Sequence, residues 1–399
     1  MAKQPKNQLI ATNFGPIRRA DVAFGDLNIS VGSQATGKSL FFQLLKLLVD
    51  TDAICHDFLR FSADWADDFP GFMRLYFGTG MSRLIHKETS IEFDGKRIDL
   101  EAMVRKNRRS AAKSPTSEAP AEKLFYIPAQ RIMAIQDGLT RTFNSFRGGD
   151  PYVLRQFAET LHGLVQTEFS TTATDTLFPK PNRLNGGLRK LISESFFHRM
   201  DLKVARDSEF TKRLVLEKDG TQFPFMSWSA GQREFTPLLL GLYWLLPAGA
   251  TPRRNALEYV VIEEPEMGLH PKAIQAFMAI VLELMRRGYK VFLSTHSSAV
   301  LDVVWGLHTL QQQGGETEDV LEMLGLNASL KEMAKESLAK RITVSFFEPD
   351  KDVVDISALD PGADDAAESG WGGLTSFTGK IGDVVAKVVN RHEASEASR

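Results

Sequence analysis

Gly32-Ser33-Gln34-Ala35-Thr36-Gly37-Lys38-Ser39 fits the pattern G-x-x-x-x-G-K-[ST], and its reading decides the fold. Residues 27–31 ahead of it predict a strand. Residues 40–49 after it are apolar nearly all round (Leu40, Phe41, Phe42, Leu44, Leu45, Leu47, Leu48, Val49) and predict a buried helix. The glycines let the backbone curl until several N–H groups face one point, and the helix N-terminus adds its positive dipole end. Such a loop cradles phosphates: Lys38 reaches the β- and γ-phosphates and the Ser39 hydroxyl ligates Mg²⁺. The alternative is a glycine turn that matches by accident. At ordinary glycine frequency that happens in roughly one or two chains per hundred of this length, and the flanking strand and helix make it rarer.

The whole chain sets wide bounds. Its 399 residues allow two or three domains, or one with a large insertion. A hydrophobic content of 43% and a charged content of 25% are ordinary for a globular protein. The net charge of -2 does not announce a nucleic-acid binder, although a local basic face can hide within it. The single cysteine, Cys55, excludes an internal disulfide and reads as a small buried side chain. The N-terminal residues lack a signal peptide's apolar core, and the most apolar run, 238–246, falls well short of a membrane span. The expectation is a cytoplasmic protein without a membrane partner.

Residues 9–31 read as three short strands, the first two an antiparallel pair, with Phe14 and Arg18-Arg19 open to a base or ribose contact or to a plain edge-strand role. Residues 89–100 read as a hairpin around Asp94-Gly95. Residues 105–122 are polar, with basic residues at 105, 106, 108, 109 and 113, and read as a mobile loop, solvated or set against a phosphate backbone. Residues 124–127 form an apolar strand ending in Pro128-Ala129-Gln130-Arg131. Residues 150–210 read mostly helical, and 213–225 as another hairpin. Residues 257–262, a helix starting at Pro271 and a strand at 290–294 form a βαβ unit with parallel pairing. A last hairpin spans 342–357, and 381–389 is helix-like.

Three further motifs carry chemistry. Val260-Val261-Ile262-Glu263-Glu264 has the form of a Walker B strand: Glu263 holds Mg²⁺ through water, and Glu264 orients and deprotonates the attacking water. Ser229-Ala230-Gly231-Gln232 is an anion-ready helix start, or simply an N-cap. Ser294-Thr295-His296-Ser297-Ser298 ends the neighbouring strand, where His296 can reach the γ-phosphate or the water.

Taken in order, phosphate loop, PAQR, SAGQ, IEEPE-x-GLHP and STHS resemble the ABC-type ATPase heads of the Rad50, SMC, RecF and OLD group. The chain is also similar to the compact ATPases of bacterial anti-phage operons, such as the AriA-type subunit of the PARIS system. The likeness covers about residues 9–50, 124–131 and 225–300. It implies an ATPase using ATP and Mg²⁺, with Gly32 to Ser39 and Ser229 to Gln232 binding nucleotide. Glu264, His296 and Gln130 are then catalytic, and Ser39, Glu263 and Gln130 hold the metal. Met267 to His270 match the D-loop, Glu263 replaces the commoner Asp, and Ala230 replaces the first signature Gly. In such heads the signature of a second copy closes the γ-phosphate, so complete sites need a homodimer or higher homo-oligomer.

The expected fold is α/β, a P-loop NTPase with an ABC-type head, antiparallel N-terminal strands and a mainly helical insertion. The head spans 1–135 and 211–358, the insertion 136–210 and a C-terminal extension 359–399. The first functional reading is a switch controlling a partner effector in an anti-phage system. The about 190 residues between Ser39 and Ser229 are too few for a head plus a long coiled coil. The second is a DNA repair or recombination ATPase of the RecF/SMC type that binds DNA directly. A transporter subunit fits the motif order, but the insertion and extension do not resemble one.

Overall fold

The computed structural model describes residues 7–397 apart from 67, 114–118, 169–173, 182, 207–210, 248–252 and 255. The chain opens with the antiparallel pair β1 (Gln8–Phe14) and β2 (Ile17–Ala23), turning at Gly15-Pro16. Next come β3 (Leu27–Gly32), α1 (Lys38–Arg60) and α2 (Phe69–Phe77). Then β4 (Ser90–Phe93) pairs with β1 and turns at Asp94-Gly95 into β5 (Lys96–Arg97), followed by α3 (Leu100–Lys113) and β6 (Leu124–Ile127). A two-residue ribbon, β7 (Ile135–Gln136) and β8 (Leu139–Thr140), precedes α4 (Tyr152–Gly163), β9 (Thr174–Phe178) and α5 (Gly186–Ile192). The strands β10 (Asp201–Arg206), β11 (Lys212–Lys218) and β12 (Thr221–Pro224) complete an antiparallel sheet ordered β12-β11-β10-β9.

The second half returns to the main sheet. It carries α6 (Ala230–Leu245), β13 (Tyr259–Glu263), α7 (Pro271–Arg286), β14 (Lys290–Ser294) and α8 (Ser298–Gln313). Then come α9 (Thr317–Met323), α10 (Lys331–Ser337), β15 (Ile342–Phe347) and β16 (Val354–Asp355), with α11 (Ala366–Ser369) and α12 (Ser376–Ala397) last. The main sheet is ordered β16-β15-β3-β14-β13-β6, all parallel except β16.

Strand periodicity divides the core. Along β13, Val260 and Ile262 enter one apolar cluster while Tyr259 and Val261 enter the other. The first cluster lies under α4, α6, α7 and α8; the second lies under α1, α2 and the N-terminal antiparallel sheet. Because both faces are covered, β13 is buried at all five positions, which is why it reads as an unbroken apolar run up to Glu263.

One buried charge cluster ties α1 to this sheet. Lys46 Nζ donates to Asp50 Oδ2 at 2.8 Å, Glu122 Oε1 at 2.9 Å and the Leu124 carbonyl at 2.7 Å. Asp50, at a kink in α1, accepts from the Lys123 N–H at 2.7 Å and the Leu124 N–H at 3.0 Å. The attraction of Asp50 and Glu122 outweighs burial and raises the Lys46 pKa above its ordinary value.

Four features differ from the sequence expectation. Residues 105–113 are not loop but the last two turns of α3, because Leu100 and Val104 bury one turn apart against α1 and the Asp99 carboxylate accepts the Ala102 N–H at 3.0 Å. Of the rest of that stretch, 114–118 lie outside the described residues and 119–122 have no regular secondary structure. Within 150–210, β9 and β10 are strands, paired with each other and with β11, where helix was expected. Phe14 is fully buried against Phe77 and cannot stack on a base, while Arg18 and Arg19 pair with Asp352 and Asp21. The helix expected over 381–389 is the middle of the longer α12. Cys55 is buried as read, and burial pushes its thiol up to about 12. Among the described residues, no helix is long and apolar enough to cross a membrane.

Removing one partner of a buried ion pair leaves the other charge uncompensated. Asp50→Ala should therefore destabilise the fold by about 3–5 kcal/mol, measured as the shift in urea unfolding free energy. Breaking an exposed pair such as Lys331–Glu318 with Glu318→Ala should leave it unchanged within the error of the measurement.

Candidate functional site: the carboxyl ends of β3, β14 and β13

The parallel register sets the site. Ser30 on β3 faces Ser294 on β14, and Ser294 faces Glu263 on β13. The phosphate loop, the His296 turn and the two carboxylates therefore leave the sheet at one level, the place where open α/β sheets bind ligands. β6, one strand further, brings in the turn 128–131.

The phosphate loop closes tightly. Gly32 has φ +137, and a Cβ there would lie 2.0 Å from the Phe347 carbonyl oxygen. Gly37 has φ +98, and its Cβ would lie 2.6 Å from Ile17. Both positions need glycine. Ser33, Gln34, Ala35 and Ser39 are exposed at the lip, while Thr36 and Lys38 are buried. Lys38 Nζ donates to the Gly32 carbonyl at 2.8 Å and the Ser33 carbonyl at 2.7 Å, and lies 3.5 Å from Thr36 Oγ1. Burial lowers its pKa, and Glu264, Glu263 and Glu266 work against that.

Glu263 is the buried acid of the site. Its Oε2 accepts the Ala129 N–H at 3.2 Å, and its Oε1 is buried without a hydrogen bond. Burial raises its pKa, opposed by the Ser39 hydroxyl, the Ala129 N–H and the Tyr126 hydroxyl beside it. An unpaired buried carboxylate oxygen next to a serine hydroxyl is a donor set that suits Mg²⁺. Ser39 and Glu263 are the residues that would hold it, and the ion would supply charge neutralisation at the triphosphate.

Glu264 turns out of the strand with φ +42, a backbone conformation that costs a side-chain-bearing residue on the order of 1–3 kcal/mol. Its N–H donates to the Ser294 carbonyl at 2.9 Å. The carboxylate is left half-exposed, with Oε1 3.6 Å from His296 Nε2. Glu264 and His296 can therefore hold one water between them.

Glu266, two residues after Glu264, is what fixes His296. Its Oε1 accepts the Thr295 hydroxyl at 2.9 Å and the His296 N–H at 2.6 Å. Arg131 acts from the turn after β6. It is fully buried and donates to the carbonyls of Glu263, Glu264 and Glu234. Their partners are mostly backbone groups of distant segments, which periodicity and spacing do not reveal.

Two sequence-assigned regions sit apart from this cluster. Gln130 is exposed at the N-cap of a 3₁₀ turn, Arg131–Ala134, and among the described residues no side chain bonds to it. It is the neighbouring Ala129 N–H that reaches Glu263. Ser229 and Ala230 are exposed at the start of α6, and α6 packs against β6 and the turn after it. Ser229 and Gln232 form a reciprocal capping box, with Ser229 Oγ accepting the Gln232 N–H at 3.3 Å and Gln232 Oε1 accepting the Ser229 N–H at 3.0 Å. The N-cap reading of this motif is thus realised, and the cap aims a helix N-terminus at solvent. β14 and β13 lie between β3, which leads into the phosphate loop, and β6, against which the signature helix packs.

The family model described as "AAA domain, putative AbiEii toxin, Type IV TA system" matches residues 28–302. The chain belongs to this family. It is an ATPase-type P-loop protein, and the match runs from β3 through the His296 turn. No curated protein sequence matches the chain. Among solved structures, an Smc head bound to the C-winged helix domain of ScpA aligns at 10% identity and TM-score 0.38, covering 88% of this chain and 96% of that one. The SMC head domain from Thermotoga maritima aligns at 11% and 0.34, covering 88% and 98%. The bacterial ABC transporter cassette MJ0796 aligns at 14% and 0.30, covering 74% and 88%.

The raised pKa of Glu263 has a signed consequence. Its folded form binds a proton more tightly than the unfolded chain, so stability from this group is present at low pH and is lost as pH rises through the folded pKa, above the ordinary 4.5. Metal binding selects the ionised form and strengthens over the same rise. Titrating Mg²⁺ in the presence of ATP and following thermal unfolding, the Mg²⁺-dependent stabilisation should fade on acidification, at a pH that falls as Mg²⁺ is raised. It should be absent at every pH in Glu263→Gln, while Mg²⁺-free ATP binding persists.

Proposed function

We propose that this chain is a Mg²⁺-dependent ATPase switch whose ATP sites form between two protomers. The observation that carries the reading is that the phosphate loop leaves β3 while the exposed Ser229 cap starts a helix packed against β6, with β14 and β13 between those two strands. A triphosphate on Gly32 to Ser39 has Lys38 and Ser39 on one side, and Glu264 with His296 beside the attacking water. Its other side is open, and a second copy's Ser229 to Gln232 would supply helix-terminal N–H groups and a hydroxyl there. Exposed apolar side chains support a meeting of surfaces: Met226 at 66% exposure just before the signature, Met267 at 39% in the D-loop, and Met133 at 42% after Gln130. Glu264 acts as the base that orients and deprotonates the water, and Glu263 and Ser39 hold the metal. Gln130, exposed here, would engage the metal and water only after the turn 128–131 closes on the nucleotide. ATP then joins the protomers and hydrolysis releases them.

The finer role is control of a separate effector in a cytoplasmic anti-phage system, of the kind the AriA-type resemblance implies. The family's description, which names a toxin and a type IV toxin–antitoxin system, favours a defence setting. A second reading, direct DNA binding, draws on α3, where Arg105, Lys106, Arg109 and Lys113 share one helical face. Arg105 is already paired with Glu101 and Arg108 with Asp64, which weakens it.

Light scattering on Glu264→Gln tests the main reading. With Mg-ATP its mass should rise to that of a dimer or larger and hold. A mass unchanged by ATP, in a protein that still binds it, would reject ATP-driven pairing. If DNA is bound directly, affinity should fall steeply with salt and fall again when Lys106, Arg109 and Lys113 become Ala.

A further inference from the structure

Arg131 is the largest side chain with no exposure at all. Its guanidinium is divided among two segments that belong to different half-sites. Nη1 donates to the Glu263 carbonyl at 2.9 Å and Nη2 to the Glu264 carbonyl at 3.2 Å, both at the end of the carboxylate strand. Nε donates to the Glu234 carbonyl at 3.2 Å, and Nη2 lies 3.7 Å from Glu234 Oε2, on the first turns of the signature helix. Two further contacts lie around the same strut, one from its own turn to the carboxylate strand and one from the signature start to the loop after that strand. The Ala129 N–H bonds Glu263, and the backbone of Gly231 approaches Gly268 so closely that a Cβ would lie 2.9 Å from the Gly268 carbonyl.

We propose that Arg131 is a positioning residue that couples the nucleotide state of a protomer's own pocket to the placement of its signature helix. The ATP held in one site then sets the closing group offered to the other. This rests on the two-protomer reading above and adds to it the path of communication. A buried guanidinium is tolerated only while its N–H groups stay paired. When Glu263 and Glu264 shift to meet a triphosphate and its metal, Arg131 must follow or lose its acceptors, and it carries Glu234 and the turn at Ser229 with it. The planar fork is what permits this: three carbonyls in different directions match guanidinium donors, whereas an ammonium on a flexible stem cannot hold all three in a fixed relation. The strut touches neither nucleotide nor water.

The test uses full-length protein on the Glu264→Gln background, where ATP is bound and not consumed. Arg131→Lys and Glu234→Gln are compared by three readouts: melting temperature, Mg-ATP affinity in protein too dilute to pair, and the protein concentration at which ATP drives half of it into pairs. The coupling role predicts Mg-ATP affinity within twofold of the parent, with the pairing midpoint raised at least tenfold in Arg131→Lys and at least threefold in Glu234→Gln. A purely structural role would lower the melting temperature and leave the midpoint of the folded protein where it was. Should Arg131→Lys fail to fold, Glu234→Gln alone decides. The proposal is overturned if the pairing midpoint stays within twofold in folded variants, or if Mg-ATP affinity falls in the same proportion as pairing. Ser229→Arg serves as the control: if it still pairs like the parent, the shared-site reading itself has failed, whatever Arg131 does.

Discussion

Parallel pairing of β3, β14 and β13 is the constraint on which the rest of the structure depends. It aligns Ser30, Ser294 and Glu263 across the sheet, so three chain segments far apart in sequence release their reactive residues at one height. A slip of one residue in β13 would turn Glu263 to the opposite face of the sheet and Ile262 toward the other apolar cluster. Two covered faces prevent that slip, because the alternation of β13 between the clusters allows one register. The core is therefore also the positioning device for the chemistry.

The electrostatics follow from that geometry. Glu263, Glu264 and Glu266 converge on a region where Lys38 and Arg131 are the nearby cations. The imbalance is negative, and Glu263 bears the largest cost because it is the buried one. A divalent cation would relieve it, whereas a triphosphate without its metal would meet repulsion. Glu266 spends its charge differently, on the Thr295 hydroxyl and the His296 N–H, so it fixes the turn that presents His296 to Glu264. Arg131 neutralises part of the cluster while bonding only to carbonyl oxygens and approaching Glu234.

Much of this was legible in the sequence, for reasons that can be named. The phosphate loop, the strand ending in Glu263-Glu264 and the Pro271 helix start depend on local rules of glycine geometry, apolar runs and helix caps, and each stands where it was read. The fold class followed from the strand–helix–strand pattern. The basic stretch 105–113 misled because composition was read without Leu100 and Val104, whose one-turn spacing lies just ahead of it. β9 and β10 were missed because they pair only with each other and with β11, a non-local contact that no short window carries. Phe14 looked available for a base because burial by Phe77 of α2 is a tertiary fact. Arg131 and Glu266 were in plain sight within PAQR and IEEPE, yet their partners are mostly backbone atoms, with the Thr295 hydroxyl, of distant segments.

The central claim is that a triphosphate is completed by groups from two chains, and subunit mixing tests it most directly. Lys38→Ala removes the loop's cation and Ser229→Arg blocks the closing cap, so each protein alone should be inactive. Mixed, a Lys38→Ala protomer lends its intact Ser229 to the intact loop of a Ser229→Arg protomer. Hydrolysis should then return to roughly a quarter of the unmodified rate, since half the pairs are mixed and each keeps one of two sites. Full activity of Ser229→Arg on its own, or a mixture of inactive proteins that stays inactive while the two are shown to pair, would contradict the account.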